Sequence, residues 1–215
     1  NGVVQSFDAS LILKHLVDID PFSNLQLEVG DVNLSDDIST LDAYHILEYM
    51  VGLIDALPYT ADEVTGSTGD FMMEDMGAES GMLIDIPITI TNAESVNGLK
   101  GRLTYDPAVL ALDTLIFGEF LNGYMIEMNE TEPGQILFAA SGNQPNTETG
   151  TIANITFEVL EGFYGESSVT LSNLRVNENE ELEVGAEMTE NHVLGISRAG
   201  VLEVLDFASE LSRSI

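Results

Sequence analysis

Leu83-Ile84-Asp85-Ile86-Pro87-Ile88-Thr89-Ile90-Thr91 alternates branched apolar residues with other, mostly polar ones along its length. Successive side chains of a β-strand point to opposite faces, so this order puts Ile84, Ile86, Ile88 and Ile90 on one side. Downstream, Leu99 to Tyr105, Ile136 to Ala140, Ile152 to Leu160, Ser168 to Leu174 and Val201 to Leu205 are further short β-rich runs. Clusters of Gly, Asn, Pro and Asp separate them. Short strands at this spacing, with no long helical pattern between them, predict a mainly β domain built as a sandwich. The final stretch, Phe207 to Ile215, reads as a tail or short helix.

Upstream of the strands the pattern changes. The segment Val4 to Val17 aligns with Ile38 to Val51 at an offset of 34 residues, with Asp8-Ala9 matching Asp42-Ala43. Leu13, Leu16 and Val17 in one copy, and Ile46, Leu47 and Met50 in the other, fall at helical spacing. They predict two short amphipathic helices facing each other. Gly52 stops the second. The polar stretch from Asp55 onward, rich in Thr, Ser and Gly, reads as a linker. The expected organisation is a helical module over 1–54, a linker over 55–69, a β domain over 70–206 and a tail over 207–215.

Composition narrows the function. The 215 residues include 37 acidic and 6 basic ones, a formal net charge of −31. Such a polyanion repels nucleic acid phosphates and anionic membranes, so no nucleic-acid partner and no membrane insertion are expected. It suits divalent cations or a salty medium. The chain has no cysteine, which excludes disulfides, thiolate zinc sites and a cysteine nucleophile.

The strongest chemistry lies in Asp31-Val32-Asn33-Leu34-Ser35-Asp36-Asp37-Ile38-Ser39-Thr40-Leu41-Asp42. Calcium takes six to eight hard oxygen ligands, and a 12-residue loop supplies them from positions 1, 3, 5, 7, 9 and 12. Here those are Asp31, Asn33, Ser35, the Asp37 backbone carbonyl, Ser39 and Asp42. A helix starts at once, as such a loop requires. The competing reading is an acidic surface turn with a helix cap, which the repeat argues against. In the first copy Asp8 takes position 12 and Asn1 position 5, leaving Asn1, Val3, Gln5 and Asp8 as the partial set. Without positions 1 to 4, this half-site is expected to bind Ca2+ weakly or not at all.

A duplicated calcium loop plus helix resembles the dockerin family, through Asp31, Asn33, Ser39, Asp42 and the Asp-Ala-x-x-Ile-Leu helix start, with Asn1, Gly2 and Asp8 in the partial copy. Ser35 stands where dockerins usually carry Asp, and Asp36 where they usually carry Gly. From about Asp70 to Leu205 the chain is similar to cohesins, the partner family. The carriers are Ile86 to Asn92, Gly98 to Pro107, Gly134 to Ala139, Thr149 to Phe157 and Gly200 to Val204. The resemblance implies a nine-stranded jelly-roll sandwich whose sheet face binds a dockerin. It also implies that the helical module contacts its partner through Ser6 and Phe7 in one copy and Thr40 and Leu41 in the other, the competing reading being that Phe7 and Leu41 cover the helix pair's own core. Leu13, Lys14, Leu47 and Glu48 stand behind them.

These features predict a secreted, non-catalytic adaptor or scaffold. Its partners are a cohesin- or dockerin-bearing protein, or further copies of itself. The alternative is a self-assembling filament built head to tail from the two modules. Carbohydrate binding is a lesser reading, since the chain has no tryptophan to stack on a sugar ring. No catalytic site is expected, for the sequence holds no Gly-x-Ser-x-Gly elbow and no phosphate-binding glycine loop. His15 and His45 are expected on exposed or partner-facing sides of the helices. The acidic run Asn177 to Glu181 reads as a solvated hairpin tip, with a second calcium site as the minority reading, and Asn129 as the one usable glycan acceptor.

Overall fold

A computed structural model describes residues 3–60, 69–162, 166–179 and 182–190. Three helices come first: α1 (Ser6–Leu16), α2 (Asn24–Gly30) and α3 (Thr40–Met50). The strands follow as β1 (Asp70–Met72), β2 (Met76–Ala78), β3 (Leu83–Thr91), β4 (Val96–Tyr105), β5 (Leu110–Phe117), β6 (Met125–Glu132), β7 (Gln135–Asn146), β8 (Gly150–Val159), β9 (Glu166–Val176) and β10 (Leu182–Glu190).

Two sheets face each other, one in the order β1-β3-β8-β5 and the other β2-β10-β9-β4-β7-β6. Neighbours are antiparallel except β10 and β2, which run parallel. The alternation of β3 is realised: Ile84, Ile86, Ile88 and Ile90 are all buried while Asp85 is exposed. They meet Ile155 and Phe157 of β8, and Leu99, Leu103, Ile136 and Phe138 of the other sheet. Each such burial contributes about 1.5–3 kcal/mol relative to exposure. Pro87, which has no N–H to donate, sits where β1 no longer covers β3, because β1 pairs only with Thr89 to Thr91. Between β6 and β7 the chain reverses at Pro133-Gly134, where Gly134 takes φ +86°, a left-handed value that suits glycine.

The strand count is ten among the described residues where nine were expected, the three-residue β1 adding an edge to the smaller sheet. The anticipated strand Val201 to Leu205 and the tail lie outside the described residues, as do positions 61–68 of the linker. A third helix, α2, precedes the loop; it follows Ser23, whose N–H donates to Gln26 Oε1 at 3.0 Å in a Ser-x-x-Gln capping box. As expected, α1 and α3 face each other, and Gly52 closes α3 at φ +76°.

The helices do not close a core by themselves. Ala9, Ile12, Leu13 and Val17 of the first copy pack with Val32, Ile38, Ala43 and Ile46 of the second, and the cluster continues into Leu137 and Ala139 of β7. The core of so short a segment is marginal by itself, and the outer face of the larger sheet completes it.

Candidate functional site

In the loop from Asp31 to Asp42 the side chains turn inward on the backbone. Asp31 accepts the N–H groups of Ser35 and Asp36 at 3.0 Å each, and Asn33 Oδ1 accepts Ser35 N–H at 3.1 Å. The Ser35 hydroxyl lies 3.3 Å from the Asp37 carbonyl. Asp36 adopts φ +66°, the left-handed conformation, where aspartate is among the few tolerated non-glycine residues. This is the position at which dockerins usually carry glycine.

Asp42 is fully buried, and both its oxygens accept backbone N–H groups: Val32 at 2.8 Å and Asn33 at 3.4 Å on one, Ser39 at 2.8 Å on the other. Burial pushes its carboxyl up to about 7, against the opposing pull of those three N–H groups, while Asp31 adds to the rise. Ser39 caps α3 by accepting Leu41 N–H at 3.1 Å. The first copy repeats the device, with Gln5 N–H donating to Asp8 Oδ2 at 2.7 Å. Val3 is exposed, and Asn1 lies outside the described residues.

Among the described residues no three His, Cys, Asp or Glu side chains cluster closely enough to hold a metal by themselves. The loop instead offers carboxylate, amide, hydroxyl and carbonyl oxygens, a hard donor set of the kind that calcium, magnesium and manganese take.

The expected contact residues divide sharply. Thr40 and Leu41 are buried, 1% and 6% exposed, where α3 abuts the sheet. The Ser141 hydroxyl of β7 donates to the Thr40 carbonyl at 3.1 Å. A Cβ added to Gly98 of β4 would lie 2.6 Å from Thr40 Cβ, so glycine is what lets the helix seat here. Leu13 is buried in the shared core, and Leu47 packs against it half-buried. Lys14 reaches Glu127 of β6 at 3.9 Å, and Glu127 also accepts the Ser10 hydroxyl at 2.7 Å. Glu48 bonds His45 Nδ1 at 2.9 Å. Ser6 and Phe7 face solvent, Phe7 at 57% exposure. The second copy therefore faces the chain's own sheet, and the first copy is free of it at these two positions.

Charge follows the same surface. Every Lys and Arg among the described residues lies there: Lys14, Lys100, Arg102 and Arg175. Lys100 lines a cleft of about 570 Å³ with His15, Asp18, Asp31 and Asp37. Arg175 Nη1 pairs with Asp37 Oδ2 at 2.5 Å. Arg102 stands across from Leu137, on the face that the helices cover. A positive sheet face thus meets the acidic loop of an otherwise strongly negative chain.

Three expectations are corrected here. His45 is buried, 5% exposed, with rings of Tyr44 and Tyr59 beside it. His15 stacks on Phe22 at 4.6 Å and accepts Phe22 N–H through Nδ1, so it faces its own module. Asn129 donates to the Val17 carbonyl at 2.9 Å, so its amide is part of the contact and not a free glycan acceptor.

As far as Asn179 the run after β9 is also not a solvated tip, while Glu180 and Glu181 lie outside the described residues. Asn177 is 1% exposed; its Oδ1 accepts Asn97 and Gly98 N–H, and its Nδ2 donates to the Ser95 carbonyl. Arg175 braces the turn by donating to the carbonyls of Glu178 and Asn179 at 3.2 and 3.1 Å. Glu178 Oε1 enters the loop and accepts Asn33 Nδ2 at 2.8 Å, Ser35 Oγ at 3.0 Å and Ser39 Oγ at 2.8 Å. No local pattern signals this meeting, because 139 or more residues separate the partners.

A family model described as the cohesin domain matches residues 73–194. The chain is similar to the solution structure of CaCohA2 from Clostridium acetobutylicum, with 15% identity, a TM-score of 0.51, and 61% of this chain and 96% of that one covered. It is also similar to the seventh ScaB type I cohesin from Pseudobacteroides cellulosolvens, at 20% identity and TM-score 0.46 over 60% and 95% of the two chains. A non-cellulosomal cohesin from the hyperthermophilic archaeon Archaeoglobus fulgidus matches at 18% and 0.47, over 58% and 92%. At these identities the likeness speaks to fold alone. The comparison with curated proteins returns no match.

Proposed function

We propose that this chain, which belongs to the cohesin family, is a non-catalytic assembly protein in which a dockerin-like helical module sits on the cohesin sheet of its own chain. The carrying observation is the seat of Thr40 on Gly98 and Ser141. The surface expected to grip a partner cohesin is turned onto the sheet that the same chain provides. Two complementary faces on one polypeptide meet at high effective concentration, so the intramolecular contact is favoured over binding in trans. The other copy, with Ser6 and Phe7 in solvent, is the surface left for a separate cohesin-bearing protein.

The loop from Asp31 to Asp42 is read as a calcium site, with Asp31, Asn33, Ser35, the Asp37 carbonyl, Ser39 and Asp42 as its ligands. Calcium would supply the positive charge that draws these oxygens together. Among the described residues no helix is long and apolar enough to cross a membrane. A cysteine-free, calcium-ordered assembly protein suits an extracellular setting.

A second reading uses the same seat between copies. If the helical module of one chain occupies the sheet of the next, the contact is heterologous and extends into a filament unless rotation closes it into a ring. Sedimentation velocity of the full chain, in calcium and in chelator, separates the two. A concentration-independent monomer is expected for the closed chain, whereas calcium-dependent growth with concentration favours the filament. Leu41→Asp should unseat the module and raise binding of a separate dockerin-bearing protein. Equal binding by wild type and Leu41→Asp would sink the closed form.

A further inference from the structure

We infer that Glu178 is an oxygen ligand that the sandwich lends to the loop of the helical module, so that calcium bound there locks the helices onto the sheet. The inference rests on reading residues 31–42 as a calcium loop and adds a ligand from outside it.

Three observations converge on Glu178. Its Oε1 lies within 3.0 Å of Asn33 Nδ2, Ser35 Oγ and Ser39 Oγ. These side chains hold positions 3, 5 and 9, three of those from which a 12-residue loop takes its ligands. Second, both oxygens of Asp42, the loop's own terminal carboxylate, already accept backbone N–H groups. Asp42 Oδ1 takes two of those bonds and has little left for an ion, so the donor set gains from a further anionic oxygen. Third, Glu178 is held in place. Arg175 grips the carbonyls of Glu178 and Asn179, and Asn177 fixes the turn to Asn97 and Gly98.

The charge balance points the same way. In a chain of net charge −31, a carboxylate brought into a loop that carries Asp31, Asp36 and Asp37 raises the local repulsion. Arg175 already answers Asp37. A cation shared by the loop and Glu178 relieves that repulsion and makes seating of the helices depend on the ion. By linkage, a seated module binds calcium more tightly than an unseated one, by the same factor.

The test is calorimetric titration of calcium into the full chain, comparing wild type, Glu178→Gln and Glu130→Gln. Glu130 is an exposed carboxylate on β6 and serves as the control. Ligand charge count tunes affinity in such loops, so Glu178→Gln is expected to lose about tenfold or more, with Glu130→Gln unchanged. The calcium-induced rise in Tm should shrink in Glu178→Gln alone. Unchanged affinity in Glu178→Gln overturns the inference and leaves the calcium loop standing. Tighter binding would make Glu178 a plug that competes with the ion, which also overturns it. A wild-type chain that binds no calcium removes the loop reading and this inference together.

Discussion

Thr40 of α3 and Gly98 of β4 approach so closely that a methyl group at 98 would collide with the Thr40 side chain, 2.6 Å from Cβ and 2.7 Å from Oγ1. The Ala140 carbonyl lies 2.9 Å from the same point, so the pocket has no slack on either side.

Gly98→Ala is therefore expected to destabilise the chain by about 1–3 kcal/mol through overpacking. Thr40→Gly in the same chain should recover part of that loss, since it removes one of the two colliding neighbours. A double-mutant cycle by chemical denaturation measures the coupling, and strictly additive effects would argue against the seat.

Thr40 Oγ1 is itself buried without a hydrogen-bond partner. Thr40→Val keeps the shape and removes the unmet hydroxyl, so it should stabilise the fold by about 1 kcal/mol. A loss of stability in denaturant titration would mean that the hydroxyl is satisfied.

His15 has its pKa lowered below the ordinary 6.5, first by burial and further by Lys100, with Asp18 pulling the other way. The folded protein thus prefers neutral His15, and its Nδ1 must stay unprotonated to accept Phe22 N–H. A group with a depressed folded pKa contributes stability above its unfolded pKa and loses it as pH falls. Below about pH 6.5, wild type should lose stability faster than His15→Phe, which keeps the stack on Phe22 and cannot ionise. Parallel pH profiles for the two proteins would remove His15 from the account.

Phe7 is expected to matter for partners and not for folding. Its ring is 57% exposed, with Lys14 Nζ 5.8 Å from its centre. Phe7→Ser should change stability by no more than about 0.5 kcal/mol. It should weaken calorimetrically measured binding to a separate cohesin-bearing protein, and unaltered binding would free the first copy of its proposed role.

Most strands paired on both flanks were legible, but β10, which lies between β2 and β9, was passed over. β3, β4, β7, β8 and β9 all lie inside a sheet and carry the apolar runs that reveal them. The strands that the pattern passed over include β1, β2, β5 and β6, the four sheet edges. An edge strand is short or keeps much of its length in water, so its apolar signal fades. β6, Met125–Glu132, has no fully buried residue at all. The helix α2 was passed over as well: no residue of it is buried, and its local signal is confined to the Ser-x-x-Gln cap.

Sequence alone determined the elements that local periodicity writes: the duplicated helices, the spaced oxygen donors of residues 31–42, and the alternating strands of the core. Both copies of the helical repeat carry equivalent contact residues, so nothing local distinguishes Thr40 and Leu41 from Ser6 and Phe7. Only the tertiary structure chose between them, because shape and charge on a distant sheet decide which face can be buried. Gly98 leaves room for one helix terminus, Lys100 and Arg175 attract one acidic loop, and Glu178 reaches one set of donors. Those complementarities join residues far apart in the chain, where no periodicity can record them.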